Sequence, residues 1–168
     1  ILDDIVLSSD NKLIRELRIV IDGIENNIKD VGFGLSQQLP IIAQAIISED
    51  FGFDGKDYGE TLLIEQPEVH LHPHLQAKFI ETLLSIGNNN VYFIETHSEH
   101  IIRMLQVLVK TQKFGLKSDD ISINYFRKEG KNMKKSAHFI NPITGKLNPN
   151  FPKGFYDVSY DLAFQLMD

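Results

Sequence analysis

The sequence predicts an α/β fold in which a mainly parallel sheet core is flanked by helices. Two short apolar runs, 61–66 and 91–95, end in a carboxylate or amide and a polar segment, which is typical of strands buried on both faces of a parallel sheet. Each run precedes a segment with apolar residues at helical spacing. The order strand, helix, strand, helix requires a crossover connection between parallel strands.

The N-terminal third contains one clear helix. The first 30 residues leave two alternatives open, a helix at 10–17 and a strand at 18–22. Residues 35–48 are predicted to be helical, with an apolar stripe of Leu35, Leu39, Ile42 and Ile46. Ser36 is the expected N-cap, and Pro40 falls near the first turn, where a missing N–H costs little. A glycine-rich surface loop is predicted at 51–60.

The remaining elements follow from periodicity and turn residues. A second helix is expected after Pro73, with the stripe Leu75, Phe79, Leu83 and Ile86, and a third at 98–110. Thr96 with Glu99 fits a capping box for the third helix, and Ser98 is a rival cap. Alternating segments at 121–126 and 136–140 predict a hairpin. Apolar spacing from Phe155 predicts a final docking helix with Val158, Leu162 and Leu166.

Composition indicates one soluble globular domain over residues 1–168. The chain is 42% hydrophobic and 24% charged, and its apolar runs are shorter than the roughly 20 residues of a membrane span. Without cysteine, neither disulfides nor thiolate chemistry is available. The net charge of −6 argues against a generally basic nucleic-acid coat. We expect a cytoplasmic protein without membrane partners, and numbering from Ile1 suggests a piece of a longer polypeptide.

The segment TLLIEQPEVHLHP at 61–73 carries the strongest functional pattern. Glu65 ends an apolar strand, and open α/β sheets bind ligands outside the carboxyl ends of their strands. A carboxylate at that place suits a magnesium-and-phosphate site. Upstream, Gly32, Gly34 and Ser36 precede a helix whose free N–H groups favour an anion. Downstream, His97 follows the second strand and could hydrogen-bond a phosphate oxygen or a water.

In that order the three segments resemble the signature motif, the Walker B strand and the switch histidine of ABC-type ATPases. The resembled branch includes recombination-repair and chromosome-maintenance ATPases and the overcoming-lysogenization-defect nucleases. The resemblance implies the C-terminal lobe of a P-loop NTPase-like head, with a signature-like helix at 30–48, a Walker B to switch-histidine core at 60–110, and a hairpin and terminal helix at 120–168. It also implies the cofactors ATP and Mg²⁺.

The resemblance assigns roles to individual residues. Glu65 would hold Mg²⁺, Gln66 would occupy the position of the general base, and His97 would be the switch histidine. The signature residues would contact ATP bound by the opposite subunit of a homodimer: Gly32, Gly34, Ser36 and Gln37. Many relatives have glutamate where this chain has Gln66, and a neutral amide cannot accept a proton. Hydrolysis is therefore expected to be slow, or Glu68 serves as the base, or ATP acts chiefly as a clamp.

The sequence departs from the family pattern at the Walker A loop, at the signature motif and at the metal-binding pair of the nuclease-bearing relatives. No G-x-x-x-x-G-K-[ST] loop occurs, so we expect the Walker A motif upstream and only weak ATP binding by the isolated chain. The signature motif also departs from LSGGQ, because its inner glycines are replaced. The nuclease-bearing relatives carry an Asp-x-Asp pair, and none occurs among the 168 − 97 = 71 residues after His97. A nuclease of that type is therefore not expected within the chain, and a separate nuclease is one candidate partner beside nucleic acid.

Two other clusters leave alternatives open. His70, His72 and His74 with Glu68 could hold zinc and support a zinc-dependent hydrolase, although Pro73 breaks the strand. A basic group surrounds Glu129 at the predicted hairpin turn: Arg127, Lys128, Lys131, Lys134 and Lys135. Such a group can bind phosphate backbones or form a solvated turn, and no aromatic residue interleaves at the tip to stack bases.

The leading hypothesis is an ATP-driven dimerisation switch in genome maintenance or phage defence. Two heads would enclose two nucleotides, and closing and opening would act on nucleic acid or on a nuclease partner. A binding module with a decayed ATPase architecture is the alternative from another functional class.

Overall fold

A computed structural model describes residues 2–11, 14–21, 23–28, 30, 32–50, 59–152, 154–155 and 158–166. These residues form strands and helices in a mixed α/β fold that includes a parallel sheet. The chain divides into two compact units, Ile1–His72 with Ile86–Thr96, and Pro73–Ser85 with His97–Asp168. The expected single domain over 1–168 stays a prediction.

The first unit begins with an antiparallel meander. Its strands are β1 (Leu2–Asn11), β2 (Ile14–Ile21) and β3 (Ile24–Asn27), and β2 lies between the other two. Arg18 and Glu25, on neighbouring strands, form an ion pair of 3.5 Å. The helix considered at 10–17 is therefore wrong, because its described residues, 10–11 and 14–17, belong to the end of β1 and the first half of β2.

Helix α1 (Phe33–Asp50) is longer than the sequence predicts. Because it begins at Phe33, Ser36 lies within its first turn, and the prediction that Ser36 is the N-cap is wrong. Pro40 lies inside the helix and not in its first turn. Most of the predicted surface loop, residues 51–58, lies outside the described residues.

Strands β4 (Thr61–Glu65) and β5 (Val91–Glu95) form the parallel sheet of the first unit. They pair in register from Thr61 opposite Val91 to Glu65 opposite Glu95. The connection between them passes through α2 (Pro73–Ser85). Both strands lie where the apolar runs predict them.

The β4–β5 sheet is buried on one face only. Leu62 and Ile64 are buried, whereas Leu63 is 78% exposed and Phe93 on β5 is 61% exposed. The prediction of strands buried on both faces is therefore wrong for the described residues. The parallel sheet of the predicted core is present as β4–β5, and the predicted hairpin is antiparallel as β6–β7, whereas the antiparallel β1–β3 sheet was not predicted.

The turn before β5 is fixed by α1. The Glu49 carboxylate accepts the backbone N–H groups of residues 88–90 at 3.0 to 3.3 Å. Asn90 is buried, donates to the Ala45 carbonyl at 2.8 Å, and accepts the Glu60 N–H at 3.0 Å. A carboxylate in the last turn of a helix opposes the helix dipole. The three N–H donors offset that cost and hold the start of both strands against α1.

The second unit contains α2, packed against α3 (Glu99–Thr111). Of the two rival caps, Ser98 begins α3, since its Oγ accepts the Ile101 N–H at 3.1 Å. The buried α3 residues are Ile101, Ile102, Leu108 and Val109, as the predicted stripe requires. Among the described helices, none is long and apolar enough to cross a membrane.

Three antiparallel strands complete the second unit: β6 (Ile123–Glu129), β7 (Asn132–Ile140) and β8 (Leu147–Asn148). Their core with α3 is Ile102, Val109, Ile123, Ile140 and Leu147. The final helix is α4 (Val158–Gln165). Of the predicted docking stripe, Phe155 packs against the core of the second unit, whereas Val158, Leu162 and Leu166 are exposed and do not dock.

The ion pairs of Glu81 make the stability of the second unit depend on pH. Hydrogen bonds from Lys113 and then Lys78 lower the pKa of Glu81 from 4.5 to about 2. Because the folded state has the lower pKa, this stabilisation is complete above pH 4.5 and is lost as the pH falls towards 2.

We expect Glu81→Gln to lower the free energy of unfolding by about 0.5–1 kcal/mol at pH 7. The difference from the parent protein should shrink as the pH falls below 4.5 and be largely lost near pH 2, the folded-state pKa of Glu81. Urea denaturation between these pH values measures both. Asp119→Asn removes an exposed carboxylate from the same unit and controls for net charge. A stability difference independent of pH would contradict the ion-pair explanation.

Candidate functional site

The carboxyl ends of β4 and β5 place two carboxylates side by side. Glu65 and Glu95 are register partners, and both side chains are exposed. The Gln66 N–H donates to the Glu95 carbonyl at 2.8 Å, so the two strands end level. Neighbouring strands lie about 4.8 Å apart, and like charges at such spacing favour a shared cation. Sequence reasoning missed Glu95, although it ends its strand as Glu65 does.

The turn after β4 has an unusual backbone. Gln66 has φ 44° and His70 has φ 63°, both in the left-handed region that favours glycine. The Val69 N–H donates to the Gln66 carbonyl at 3.2 Å, and the Leu71 N–H donates to that of Glu68 at 3.0 Å. Each such residue costs on the order of 1 kcal/mol, and strain of this kind concentrates at functional sites.

The Glu68 carboxylate is held at the end of β5. Thr96, the residue after Glu95, donates its hydroxyl to Glu68 Oε2 at 2.7 Å. The strained turn therefore returns the chain towards β5 and fixes a third carboxylate near the strand ends. Thr96 was expected only as a helix cap, and no pattern along the chain connects it with Glu68.

The start of α1 packs against the same turn. Gln38 is 5% exposed and donates its Nε2 to the Pro67 carbonyl at 2.7 Å. A Cβ on Gly34 would lie 2.6 Å from the His70 carbonyl oxygen and 2.8 Å from Leu71 Cδ2. Gly34 is therefore required by close packing and not by an unusual backbone angle. Gln38 was also missed, because its neighbour Gln37 looked equivalent in the sequence.

The side-chain oxygen of Gln38 is an acceptor that needs a hydrogen-bond donor. Its Oε1 is buried and has no hydrogen-bond partner within the described part of the chain. Burying an acceptor in this state costs about 1–3 kcal/mol. A donor group arriving at the start of α1 would remove that cost.

The other predicted signature residues lie around the start of α1. Gly32 immediately precedes the helix and is exposed, Ser36 is half-buried in the first turn, and Gln37 is exposed. The Leu35 N–H donates to the Gly32 carbonyl at 3.0 Å. Gly32, Ser36 and Gln37 thus lie at one helix start, and their contact with nucleotide stays a prediction.

The candidate histidines are the proposed switch histidine and the three proposed zinc ligands. His97 is exposed and belongs to the second unit, so its expected place beside Glu65 stays a prediction. His70, His72 and His74 are exposed. Within the described ranges, no three side chains of His, Cys, Asp or Glu are grouped to hold a metal ion. The zinc alternative therefore gains no support from the described residues.

Two protein families match different parts of the chain. A family profile described as AAA ATPase domain matches residues 2–102, which is more than half of the chain and includes every predicted site residue. A second profile, described as protein of unknown function (DUF3696), matches residues 116–166. No curated protein matches the chain.

The close packing of Gly34 predicts a contrast between two glycines. Gly34→Ala should lower the free energy of unfolding by about 1–3 kcal/mol, because the new methyl group meets backbone atoms of the turn. Gly32→Ala should change it by less than about 0.5 kcal/mol, since nothing lies within 4 Å of the added Cβ. Urea denaturation of both variants is the measurement. Equal stabilities would show that α1 does not pack against the turn as described.

Proposed function

The chain belongs to the AAA ATPase domain family, and on this premise we propose that it is the C-terminal part of an ABC-type ATPase head. An ATPase-type function follows from the family itself. The finer assignment, to the recombination-repair and overcoming-lysogenization-defect branch, is supported by the order of the three motifs and by the strand-end geometry.

One observation carries this proposal: the level ends of two parallel strands with Glu65 opposite Glu95. Parallel strands of α/β proteins bind ligands at this edge. The adjacent Glu68 is oriented by Thr96, but among the described residues it does not join Glu65 and Glu95 in a three-carboxylate metal site. The Glu65 and Glu95 pair is a poor anion site by itself and requires a cation between carboxylate and phosphate.

The donor set fits Mg²⁺. This ion prefers carboxylate, water and phosphate oxygens, and is commonly held by one or two carboxylates. Glu65 is the proposed ligand, and Glu95 is placed to bind directly or through water. When bound, Mg²⁺ would polarise the phosphate oxygens of ATP and offset developing charge.

Gln66 and Glu68 would have separate roles towards the attacking water, one orienting it and the other accepting its proton. The Gln66 amide can orient a water through hydrogen bonds but cannot take its proton. Glu68 can take a proton, yet one of its carboxylate oxygens already accepts the Thr96 hydroxyl. Slow hydrolysis is the expected result, and it suits a clamp that stays closed while ATP is bound.

The start of α1 would act in trans. Gly32, Gly34, Ser36 and Gln37 would approach ATP held by a second copy of the head in a homodimer, and His97 would contact the phosphate or the water. Helix N–H groups favour anions at this position. Closing and opening of the dimer would drive conformational change in genome maintenance or phage defence, with nucleic acid or a nuclease as candidate partners.

The roles of Glu65 and Gln66 can be tested in the full-length protein. Glu65→Gln should reduce Mg²⁺-dependent phosphate release from ATP to about one hundredth of the parent rate. Gln66→Glu should raise that rate roughly 10- to 100-fold, because it restores a proton acceptor. Glu25→Gln removes an exposed carboxylate of the meander and should leave the rate unchanged. Unchanged rates in both site variants would favour the decayed binding module.

Ser36 provides a separate test of dimerisation. Ser36→Arg should abolish the ATP-dependent dimer measured by light scattering, because a bulky side chain fills the proposed contact with the opposite nucleotide. ATP binding to the monomer should persist. Ser85→Arg places the same side chain at an exposed position on α2 and should dimerise normally. A normal dimer with Ser36→Arg would remove the proposed role in trans.

A further inference from the structure

The hairpin sheet, formed by β6, β7 and β8, has an outer face with exposed aromatic and basic side chains. Phe126 lies opposite Lys135, and Lys128 lies opposite Met133. Phe126 is 59% exposed and Phe139 is 57% exposed. These large apolar groups are not part of the core of the second unit, and the ATPase proposal assigns them no role.

The order of side chains on the outer face follows from the register. From the turn towards β8 the successive positions are Lys128 with Met133, Phe126 with Lys135, Asn124 with Ala137, and then Phe139. Phe126 lies opposite Lys135, and Lys135 is four residues from Phe139, so the backbone positions of the two phenylalanines are separated by about 13 Å along the strand direction. In the described register, the pair between them on this face is Asn124 with Ala137, which have small side chains. The outer face therefore has a shallow strip of small side chains with an exposed phenylalanine on either side of it.

The charges on the two faces of the hairpin differ. Residues 123–140 contain five Lys and Arg and one acid, 5 − 1 = +4, in a chain of net charge −6. The acid, Glu129, pairs with Arg127 and with Lys134, which alternate onto the other face. Lys128 and Lys135, on the outer face, have no acidic partner among the described residues.

The opposite face anchors the sheet. His138 is buried, its Nδ1 lies 2.8 Å from the Pro149 carbonyl, and its ring stacks on Phe151 at 4.4 Å. A carbonyl only accepts hydrogen bonds, so Nδ1 donates to Pro149, and Nε2 lies 2.8 Å from the Ser136 hydroxyl. This packing holds the strands in one register, so the outer face needs no ordering before it binds a partner.

We propose that the outer face of the hairpin sheet binds single-stranded nucleic acid. Unpaired bases would stack on Phe126 and Phe139, and Lys128 and Lys135 would bind the phosphates between them. Duplexes offer no free base faces to these rings. An acidic peptide would use the lysines but not the rings. This inference goes beyond the nucleotide switch and does not rest on it, because no ATP is involved.

A tryptophan reporter tests the stacking directly. The chain contains no tryptophan, so Phe126→Trp introduces a single indole on the outer face. A short oligothymidylate should quench its fluorescence at low salt without ATP or Mg²⁺. Ile143→Trp places the same reporter on an exposed loop of the second unit and should not respond. Equal quenching of both reporters, or none, would overturn the proposal.

Affinity and salt dependence test the partner class. Phe126→Ala or Phe139→Ala should weaken oligothymidylate binding about 5- to 100-fold. Lys128→Gln combined with Lys135→Gln should reduce the slope of log affinity against log salt by about 1.4, since each phosphate contact on a single strand contributes about 0.7. Lys146→Gln, at an exposed loop position, should leave the slope unchanged.

Three other ligands decide between single strands and rival partners. The same sequence as a duplex, a polyglutamate peptide and vesicles of anionic lipid should each bind more weakly than the single strand. Equal or tighter binding of any of them would overturn the assignment. Circular dichroism and thermal unfolding should match the parent in every variant, because all the substituted side chains are exposed.

Discussion

The in-register parallel pairing of β4 with β5 is the constraint on which the candidate site depends. It brings Glu65 and Glu95 level, and the Gln66 N–H closes the pairing on the Glu95 carbonyl. A slip of one residue would turn every β4 side chain to the other face. Leu62 and Ile64 would then face outward and Glu65 inward, so burial and site geometry are decided by the same register.

Helix α1 stabilises that register from both ends of the sheet. Near its start, Gln38 donates to the Pro67 carbonyl in the turn after β4. In its last turn, Glu49 accepts three N–H groups from residues 88–90, just before β5. Hydrogen bonds to a charged group contribute about 1.5–3 kcal/mol each in favourable cases. The helix thus positions both strands, and a ligand at its start would act on the strand ends through the same contacts.

Periodicity predicted β4, α2, β5 and α3, because each has a distinct apolar pattern over a sufficient length. Periodicity could not predict how the strands pair or how the side chains pack. An apolar run does not show whether one or both faces are covered, and Leu63 proved exposed. Glu95 is recognised as a candidate site residue only through its register partner, and Gln38 only through a contact 29 residues away. The Thr96 to Glu68 bond likewise joins segments that no local motif relates.

The hairpin shows why order along the chain and net charge both mislead at a surface. Read in order, the basic tip contains no aromatic residue, yet the register places Phe126 directly beside Lys135. Net charge is equally uninformative, because exposed charges act over a screening length of about 10 Å. Side chains also alternate between the two faces of each strand. Glu129 therefore pairs with Arg127 and Lys134 on one face and leaves the lysines of the outer face without an acidic partner among the described residues. A strongly acidic chain can therefore carry a local surface suited to a polyanion.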